Sequence, residues 1–524
     1  MPDHPLITGL LRAEAYPHPV QAVRLIETHC AWVLLTGEFA YKIKKPVDFG
    51  FLDFSTLEKR RFYCEEEIRL NRRFAPQIYL DVVAIGGTAQ QPRIAAAEAA
   101  LEYAVRMRQF PAGGLLSELA AQQRLQRTHI DQLVTVIARF HQDAARASPD
   151  SAYGEPGRVH HWVQENFEHI RPALEETQDI ERLEQLRAWS EQTRQAIGPT
   201  LIQRREEGFI RECHGDLHLG NITLIEDRVT PFDCIEFNPE LRWIDLMSEA
   251  AFLIMDLDDR GYSGFAHHFL NRYLQHTGDY AGLAVLRYYL VYRALVRAKV
   301  AILRRAQTAP DSEPFRQATT EYRQYAALAA GYLAPHAARL VITCGLSGSG
   351  KSTIAGQLCE QAGMIQIRSD IERKRLAGLA ADDRSGSGVG DGLYTADRTQ
   401  ETYRQLEELA RLVVQAGYSV IVDATFLEQS RRAGFQALAA SLQVPFVILH
   451  CQADDAELER RIVARAAAGT DPSEAGLEVL YAQRRHRQPL TAGELRYTVA
   501  VDTAHYDIHA LQTAIDRLPQ TCRP

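Results

Sequence analysis

Apolar and polar residues alternate in short runs over the first hundred positions, and then the pattern changes character. Period-two runs at "VRLIET" (23–28), "AWVLLT" (31–36) and "FAYKIK" (39–44) predict three strands. A helix is expected from about Leu57 to Phe74, then two more strands at "IYLDVVAI" (78–85) and "LEYAVRMR" (101–108). "FPAGG" (110–114) interrupts the series as a hinge would. From 115 to 330 the apolar spacing is mainly helical, with long segments at 129–146, 179–206 and 284–306 around a loop reading "HGDLHLGN".

"GYLAPHAA" (331–338) resets the pattern. Beyond it, apolar runs at "RLVITC" (339–344), "MIQIR" (364–368), "YSVIVD" (418–423), "PFVILH" (445–450) and "YTVAVD" (497–502) alternate with helical segments. Such alternation predicts a mainly parallel five-stranded sheet covered by helices. The expected organisation is an α+β bilobal domain over 1–330, with a small lobe at about 1–110 and a helical lobe at about 111–330. A junction at 331–338 and an α/β domain over 339–524 follow. The stretch 380–392, "AADDRSGSGVGDG", has the composition of a mobile loop.

Composition narrows the function classes. A chain of 524 residues exceeds what one core usually organises, so two full domains are natural. With 46% hydrophobic and 24% charged residues, long disorder is excluded. A net charge of −8 provides no global basic field and argues against a nucleic-acid partner. The eight cysteines are scattered without a CxxC pair, which speaks against zinc and a disulfide framework and for a reducing cytoplasm. No basic head with an apolar run opens the chain, and the longest apolar stretch is broken by Pro335, His336 and Arg339. No membrane insertion is therefore expected. Nothing in these patterns bears on oligomeric state.

"HGDLHLGN" places His214, Asp216 and Asn221 in the spacing H-x-D-x-x-x-x-N, which suits phosphoryl transfer to a hydroxyl. Asp216 is the candidate base, because a carboxylate can orient an acceptor hydroxyl and take its proton. Asn221 offers an amide oxygen to Mg²⁺, and Asp233 in "PFDCIEF" offers a second, carboxylate ligand. A metal cluster or plain polar turn at His214, Asp216 and His218 would leave Asn221, Asp233 and an upstream lysine without a role. That lysine is Lys42 in "AYK", with Lys44 on the same face as the alternative. Its helical partner is Glu65, Glu66 or Glu67, of which Glu67 is favoured. The backbone of "VRMRQF" (105–110) is the expected adenine contact.

The second phosphate motif is "GLSGSGKST" at 345–353, directly after a predicted strand. In a strand-loop-helix context, backbone N–H groups of Gly345, Ser347, Gly348, Ser349, Gly350 and Thr353 cradle phosphates. Lys351 reaches the β/γ-phosphates and Ser352 binds Mg²⁺. Asp370, at a strand end in "RSDIERKR", is a candidate base flanked by Arg368 and Arg373, which could hold an acidic group; a helix cap is the bland alternative. Asp423, closing "SVIVD", could support Mg²⁺. In "DDAELERRIVAR" a capping box of Asp454 and Glu457 puts Arg461 and Arg465 on one face, as lid arginines or as ordinary surface charges. Elsewhere, Tyr289, Arg293 and Arg297 share a helix face that could line a pocket for an anionic acceptor, although a solvated or ion-paired face is the simpler account.

On these motifs, 1–330 resembles the aminoglycoside phosphotransferase family, a branch of the protein-kinase-like fold. The resemblance implies ATP-dependent phosphorylation of a small-molecule hydroxyl. One departure is "LTGEFA" (35–40), which has Gly37 alone in place of a glycine-rich phosphate loop. Residues 339–524 resemble the small P-loop kinases related to gluconate kinase, zeta toxins and polynucleotide kinase. The resemblance implies Lys351 and Ser352 for nucleotide and metal, Asp370 for the acceptor and Arg461 or Arg465 for a lid. The whole chain thus resembles a bacterial fusion of two kinases. The expectation is a bifunctional phosphotransferase with ATP (GTP as the alternative) and Mg²⁺ at each site, acting on an anionic or sugar-like hydroxyl acceptor. Alternatives are one active kinase switched by nucleotide at the other site, or a polynucleotide 5′-hydroxyl kinase in the P-loop half.

Overall fold

In the computed structural model, residues 4–50, 52–95, 99–334, 337–381, 383, 392–468 and 473–518 are described. The sequence loop at 380–392 therefore falls largely outside the described residues. The chain forms two compact units, one of residues up to Asn166 with Gly198–Asp256, the other of Phe167–Ile197 with everything from Leu257 onward.

The first unit is built on a six-stranded sheet in the order β1-β2-β3-β6-β4-β5, with β1 Arg24–Glu27, β2 Ala31–Leu35, β3 Phe39–Lys44, β4 Tyr79–Thr88, β5 Gln91–Ile94 and β6 Glu102–Arg108. Its described pairs are antiparallel. One sheet face packs Trp32, Leu34, Tyr41 and Ile43 against Ile7 and Leu10 of an N-terminal helix. The other packs Ala40, Val105 and Met107 against Cys64 and Ile68 of the helix Leu57–Asn71. Thr56 caps that helix by accepting the Lys59 N–H. Three-residue strand β7 (Ile210–Glu212) leads into the "HGDLHLGN" loop, and the hairpin β8 (Ile222–Ile225) and β9 (Arg228–Pro231) follows it. β10 (Trp243–Asp245) pairs back onto β7.

The second unit holds a wholly parallel five-stranded sheet in the order β12-β13-β11-β14-β15. Its strands are β11 Leu340–Cys344, β12 Ile365–Arg368, β13 Val420–Asp423, β14 Phe446–Gln452 and β15 Thr498–Asp502. β11, β12 and β13 are buried at every position, as expected of strands covered on both faces. The same unit includes the helices Ser263–Thr277, Leu283–Ala306 and Glu313–Gly331. Tyr289 and Arg293 are buried rather than on a solvated face or an open pocket wall. The Arg293 guanidinium lies over the Tyr292 ring, and that of Arg297 over Tyr325 of the next helix.

Candidate active sites

In the first unit, β3 turns Lys42 and Lys44 to one face, two residues apart. Glu67 is fully buried beneath them and receives both: Lys42 Nζ lies 2.9 Å from Oε1, and Lys44 Nζ 2.7 Å from Oε2. Glu65 and Glu66 point elsewhere, to Arg61 at 2.9 Å and Arg69 at 2.6 Å. Lys42 also contacts Asp233, and Lys44 contacts Glu236. Burial alone would raise the Glu67 carboxyl, but the two ammonium groups hold it down at about 2. Burial opposes the charge on both lysines, yet Asp233 and Glu67 around Lys42, and Glu236 and Glu67 around Lys44, hold them above the usual lysine range. Burial raises Glu236, which Lys44 only partly offsets.

The helix that presents Glu67 is tied to β7. Arg69 Nη2 donates to Glu212 Oε1 at 2.7 Å, and Arg73 Nη1 donates to the Glu212 carbonyl at 2.7 Å. The "HGDLHLGN" loop is in turn held by Glu249, whose carboxylate accepts the backbone N–H groups of His214 at 2.9 Å and Gly215 at 2.7 Å. Burial works against the ionised Glu249, but His141, 3.4 Å away, and these donors lower it to about 2. His214 is lowered by burial and sits 2.8 Å from the Phe232 carbonyl through Nε2, which suits a neutral ring donating there. His141, Cys213 and Glu249 have the spacing of a metal cluster, within 4.8 Å. Glu249 is already occupied by backbone donors, and Cys213 Sγ donates to the Ile244 carbonyl at 3.7 Å, so no ion is needed to explain them.

Within the loop, Asn221 Nδ2 donates to Asp216 Oδ2 at 2.9 Å and to the Asp216 carbonyl at 3.0 Å. The base candidate is thereby oriented, and the Asn221 amide oxygen remains for a cation. His218 Nε2 approaches Asp216 Oδ2 at 3.4 Å. Asp233 adopts a positive φ of 65° and donates its N–H to the Tyr79 hydroxyl at 3.1 Å. The structure thus brings Lys42 to Glu67 and Asp233, and Asn221 to Asp216. β6 is paired on both edges, by β3 and β4, and the Gln109 N–H is taken by the Glu38 carbonyl at 3.0 Å. The backbone of this stretch, where the adenine contact is expected, is thereby largely committed to the sheet.

Between β11 and the helix Lys351–Ala362, the second site winds through Gly345, Gly348 and Gly350 at positive φ. A Cβ on Gly345 would lie 2.5 Å from the Cys451 carbonyl oxygen, and one on Gly348 2.7 Å from that of Leu458. Glycine is required by close backbone approach as much as by torsion. Lys351 Nζ donates to the Leu346 carbonyl at 2.7 Å, and burial lowers its pKa. Asp423 is raised by burial, against the pull of Arg368 at 3.8 Å and a hydrogen bond from Ser352.

A cavity of about 460 Å³ joins Ser347, Gly348, Gly350, Lys351, Ser352 and Thr353 to Asp370, Asp423, Arg461 and Arg465. Gly345 and Ser349 stand in the loop behind it, with Ser349 buried. Asp370 lies in the first turn of the helix Ser369–Leu376. Arg368 turns to Asp423, whereas Arg373 stacks over Tyr394 and donates to Thr399 Oγ1 at 3.2 Å. Arg461 bonds Glu457 at 2.6 Å, Thr503 Oγ1 at 2.8 Å and the Gly348 carbonyl at 3.4 Å; Arg465 donates to the Ala475 carbonyl at 2.6 Å. At both sites the cation ligands on offer are oxygens of Asn221, Asp233, Ser352 and Asp423, which suit Mg²⁺ rather than a thiophilic ion.

Sequence reasoning missed Glu236 and Glu249. Glu236 stands three residues after Asp233 in "DCIEF", a spacing that could have flagged it. Glu249 sits in an apolar helix with no motif around it.

A bilobal kinase-type site and a P-loop site on a parallel sheet define the chain as a phosphotransferase. It matches the phosphotransferase enzyme family over residues 63–287 and an AAA domain family over 340–490. It is 32% identical over 461 residues to Uncharacterized protein Rv2004c of Mycobacterium tuberculosis, covering 87% of this chain and 89% of that one. The same figures hold for Uncharacterized protein Mb2027c of Mycobacterium bovis. The chain belongs to the family of these proteins. Among solved structures, it is similar to a gluconokinase from Sinorhizobium meliloti (21% identity, 35% of this chain, 93% of that chain, TM-score 0.25). Another is a choline/ethanolamine kinase family protein from Mesorhizobium loti (10%, 60%, 93%, TM-score 0.35).

Proposed function

We propose that the chain is a bifunctional kinase with two separate Mg-ATP sites, one served by residues 1–330 and one by 339–524, each phosphorylating a hydroxyl of a small molecule. The observation that carries this reading is that each site has its own set of lysine, acceptor-side carboxylate and cation-side oxygens. At the first these are Lys42, Asp216, Asn221 and Asp233. At the second they are Lys351, Asp370, Ser352 and Asp423. When bound, magnesium nucleotide supplies the phosphoryl group and offsets the charge on its oxygens.

The residues of the chain do the rest. Lys42, oriented by Glu67, and Lys351, at the helix start, hold phosphate oxygens. Asp216 and Asp370 align the acceptor hydroxyl and take its proton as the new P–O bond forms and the bond to the β-phosphate bridging oxygen breaks, releasing ADP. Arg461 and Arg465 lie on the second cavity and would meet the transferring phosphate. Arg373 over Tyr394 and Arg431 over Tyr403 give the acceptor end of that cavity a positive, aromatic character, which favours an anionic or sugar-like acceptor. A cytoplasmic location fits the seven free cysteines among the described residues. No described helix is long and apolar enough to cross a membrane.

The test is transfer of labelled γ-phosphate from ATP to a pool of bacterial metabolites by wild type, Asp216→Ala and Lys351→Ala. Two products, each lost in one variant, or one product whose further phosphorylation needs Lys351, is the expected result. If Asp216→Ala abolishes all transfer and Lys351→Ala alters only its rate, the P-loop half is a regulator. Labelling of a 5′-hydroxyl oligonucleotide in preference to small metabolites would replace the small-molecule acceptor at the second site.

A further inference from the structure

β12 is the terminal strand of the parallel sheet, so the backbone groups on its outer edge need partners from elsewhere. The helix Ser263–Thr277 supplies them. Asn271 Oδ1 accepts the Gln366 N–H at 2.7 Å, and its Nδ2 donates to the Met364 carbonyl at 3.0 Å. Tyr280 Oη adds a contact to the Gln366 carbonyl at 3.5 Å, and the helix contact continues inward. Arg272 Nη1 donates to Gln275 Oε1 at 3.2 Å, Gln275 Nε2 donates to Gln366 Oε1 at 3.4 Å, and Gln366 Nε2 donates to Asp423 Oδ2 at 3.0 Å. Gln275, Gln366 and Asp423 are all buried, at 3%, 6% and 4% exposure.

Every bond in this chain donates in the same sense, from a guanidinium at one end to a carboxylate at the other. Each bond therefore polarises the next in the desired direction. A primary amide such as Gln366 has two orientations, and only the one with nitrogen toward Asp423 satisfies both neighbours. The Ser352 carbonyl, 3.4 Å from the same Nε2, and the Gln275 amide on the oxygen side both favour that orientation, and Arg272 orients Gln275. The helix is further held by His268 on Glu360 at 3.1 Å and by Arg375, which donates to the Gln275 carbonyl at 2.7 Å. Its residues lie in the segment matched by the phosphotransferase family, not in the P-loop segment.

We propose that Gln366, oriented by Gln275, is a positioning residue that sets the Asp423 carboxylate for the divalent cation, so that a helix of the phosphotransferase segment completes the P-loop site. This rests on the reading of 339–524 as a magnesium-nucleotide site. Outer-shell partners of metal-binding carboxylates commonly change metal affinity by about 10- to 100-fold.

The test uses the full chain, with equilibrium binding of a fluorescent ATP analogue followed across a Mg²⁺ titration. The signal lost in Lys351→Ala reports the P-loop site. Gln366→Met, close in volume and without the amide, is expected to raise the Mg²⁺ needed for half-maximal binding at that site about tenfold, with metal-free binding unchanged. Gln275→Glu sets a carboxylate against the Gln366 oxygen and competes with Asp423 and the Ser352 carbonyl for its Nε2–H, so a shift in the same direction is expected. The double variant should be no worse than Gln366→Met alone, which a merely structural pair of contacts would not produce.

Unchanged Mg²⁺ dependence in a folded Gln366→Met protein, or fully additive shifts, overturns the inference. Should Gln366→Met fail to fold, Gln275→Glu decides alone, and an unchanged Mg²⁺ dependence there overturns it equally. Absence of any Lys351-dependent binding in wild type would overturn the underlying reading first, and is recognised because no variant is needed to see it.

Discussion

The two units hold the lysines of their proposed phosphate sites differently. Lys42 and Lys44 are enclosed by Glu67, Asp233 and Glu236, which keep both ammonium groups charged despite burial. Lys351 is buried against the Leu346 carbonyl, and burial draws its pKa down. A buried charge must be compensated somewhere. The first site compensates within the protein, so on the proposed reading a nucleotide would exchange Lys42's contact with Asp233 for one to phosphate. At the second, Asp423 and Asp370 offset the burial of Lys351 only in part, so on the proposed reading the phosphates would bring the missing negative charge. The buried charge is thus met by an ion-pair network in one unit and left partly uncompensated in the other.

The largest effect that would sharpen this contrast is reciprocal loss of activity. Asp216→Ala should lower transfer at the first site about 10³-fold, or about 4 kcal/mol in barrier, and leave Lys351-dependent transfer untouched. Initial rates of the two products in both variants check this. Equal losses of both products would break the comparison by making the sites one functional unit.

Next in size is the division between the paired lysines. Lys44 is 1% exposed between Glu67 and Glu236, so Lys44→Ala should cost about 3–5 kcal/mol of stability by stranding the buried Glu236 and leaving Glu67 with Lys42 alone. Lys42→Ala should instead cost nucleotide affinity with a smaller loss of stability. Urea unfolding of each variant, beside nucleotide binding, separates these outcomes. Equal stability losses would mean that Lys42 is as structural as Lys44.

A slightly smaller effect concerns pH. The Glu249 carboxyl lies below its ordinary 4.5, at about 2 in the folded protein, so its contribution is fully present above 4.5 and is lost as pH falls through 2. That contribution is on the order of 3 kcal/mol. Glu249→Gln should therefore be less stable than wild type at pH 7, with the gap closing toward pH 2. Denaturation midpoints at several pH values test this, and a gap independent of pH would remove Glu249 as the charged clamp of the "HGDLHLGN" loop.

The smallest expected effect lies in the loop of the second unit. Gly348→Ala places a Cβ 2.7 Å from the Leu458 oxygen at a positive φ of 81° and should cost about 1–3 kcal/mol. The thermal transition of the second unit should fall while Asp216-dependent transfer persists. Loss of that transfer as well would show that the loop supports more than its own site.

Much of this was legible in the chain. β3 spans Phe39–Lys44 as the period-two run reads, and the parallel sheet uses the five apolar runs after 339. The P-loop could be read residue by residue because glycine torsion, helix start and lysine are fixed by neighbours in sequence. The choice among Glu65, Glu66 and Glu67 could not, because three adjacent helical positions point in three directions and only packing says which one faces β3. Tyr289 and Arg293 show the same limit: their spacing defines a helix face, but only packing says that it is buried.

Sequence by itself determined the principal strands and helices, the two phosphate motifs and the chemical types at each site, because all of these depend on local backbone preference and short spacing; short strands such as β5, β7 and β10 escaped it. Tertiary structure alone decided that Glu67 serves two lysines and that Glu236 and Glu249 complete the first site. It also decided that Asn271 and Gln275 reach Gln366 from about 90 residues away. Those choices are made by burial, where an unpaired charge or amide is too costly to leave and its partner can come from any part of the chain that packing brings near.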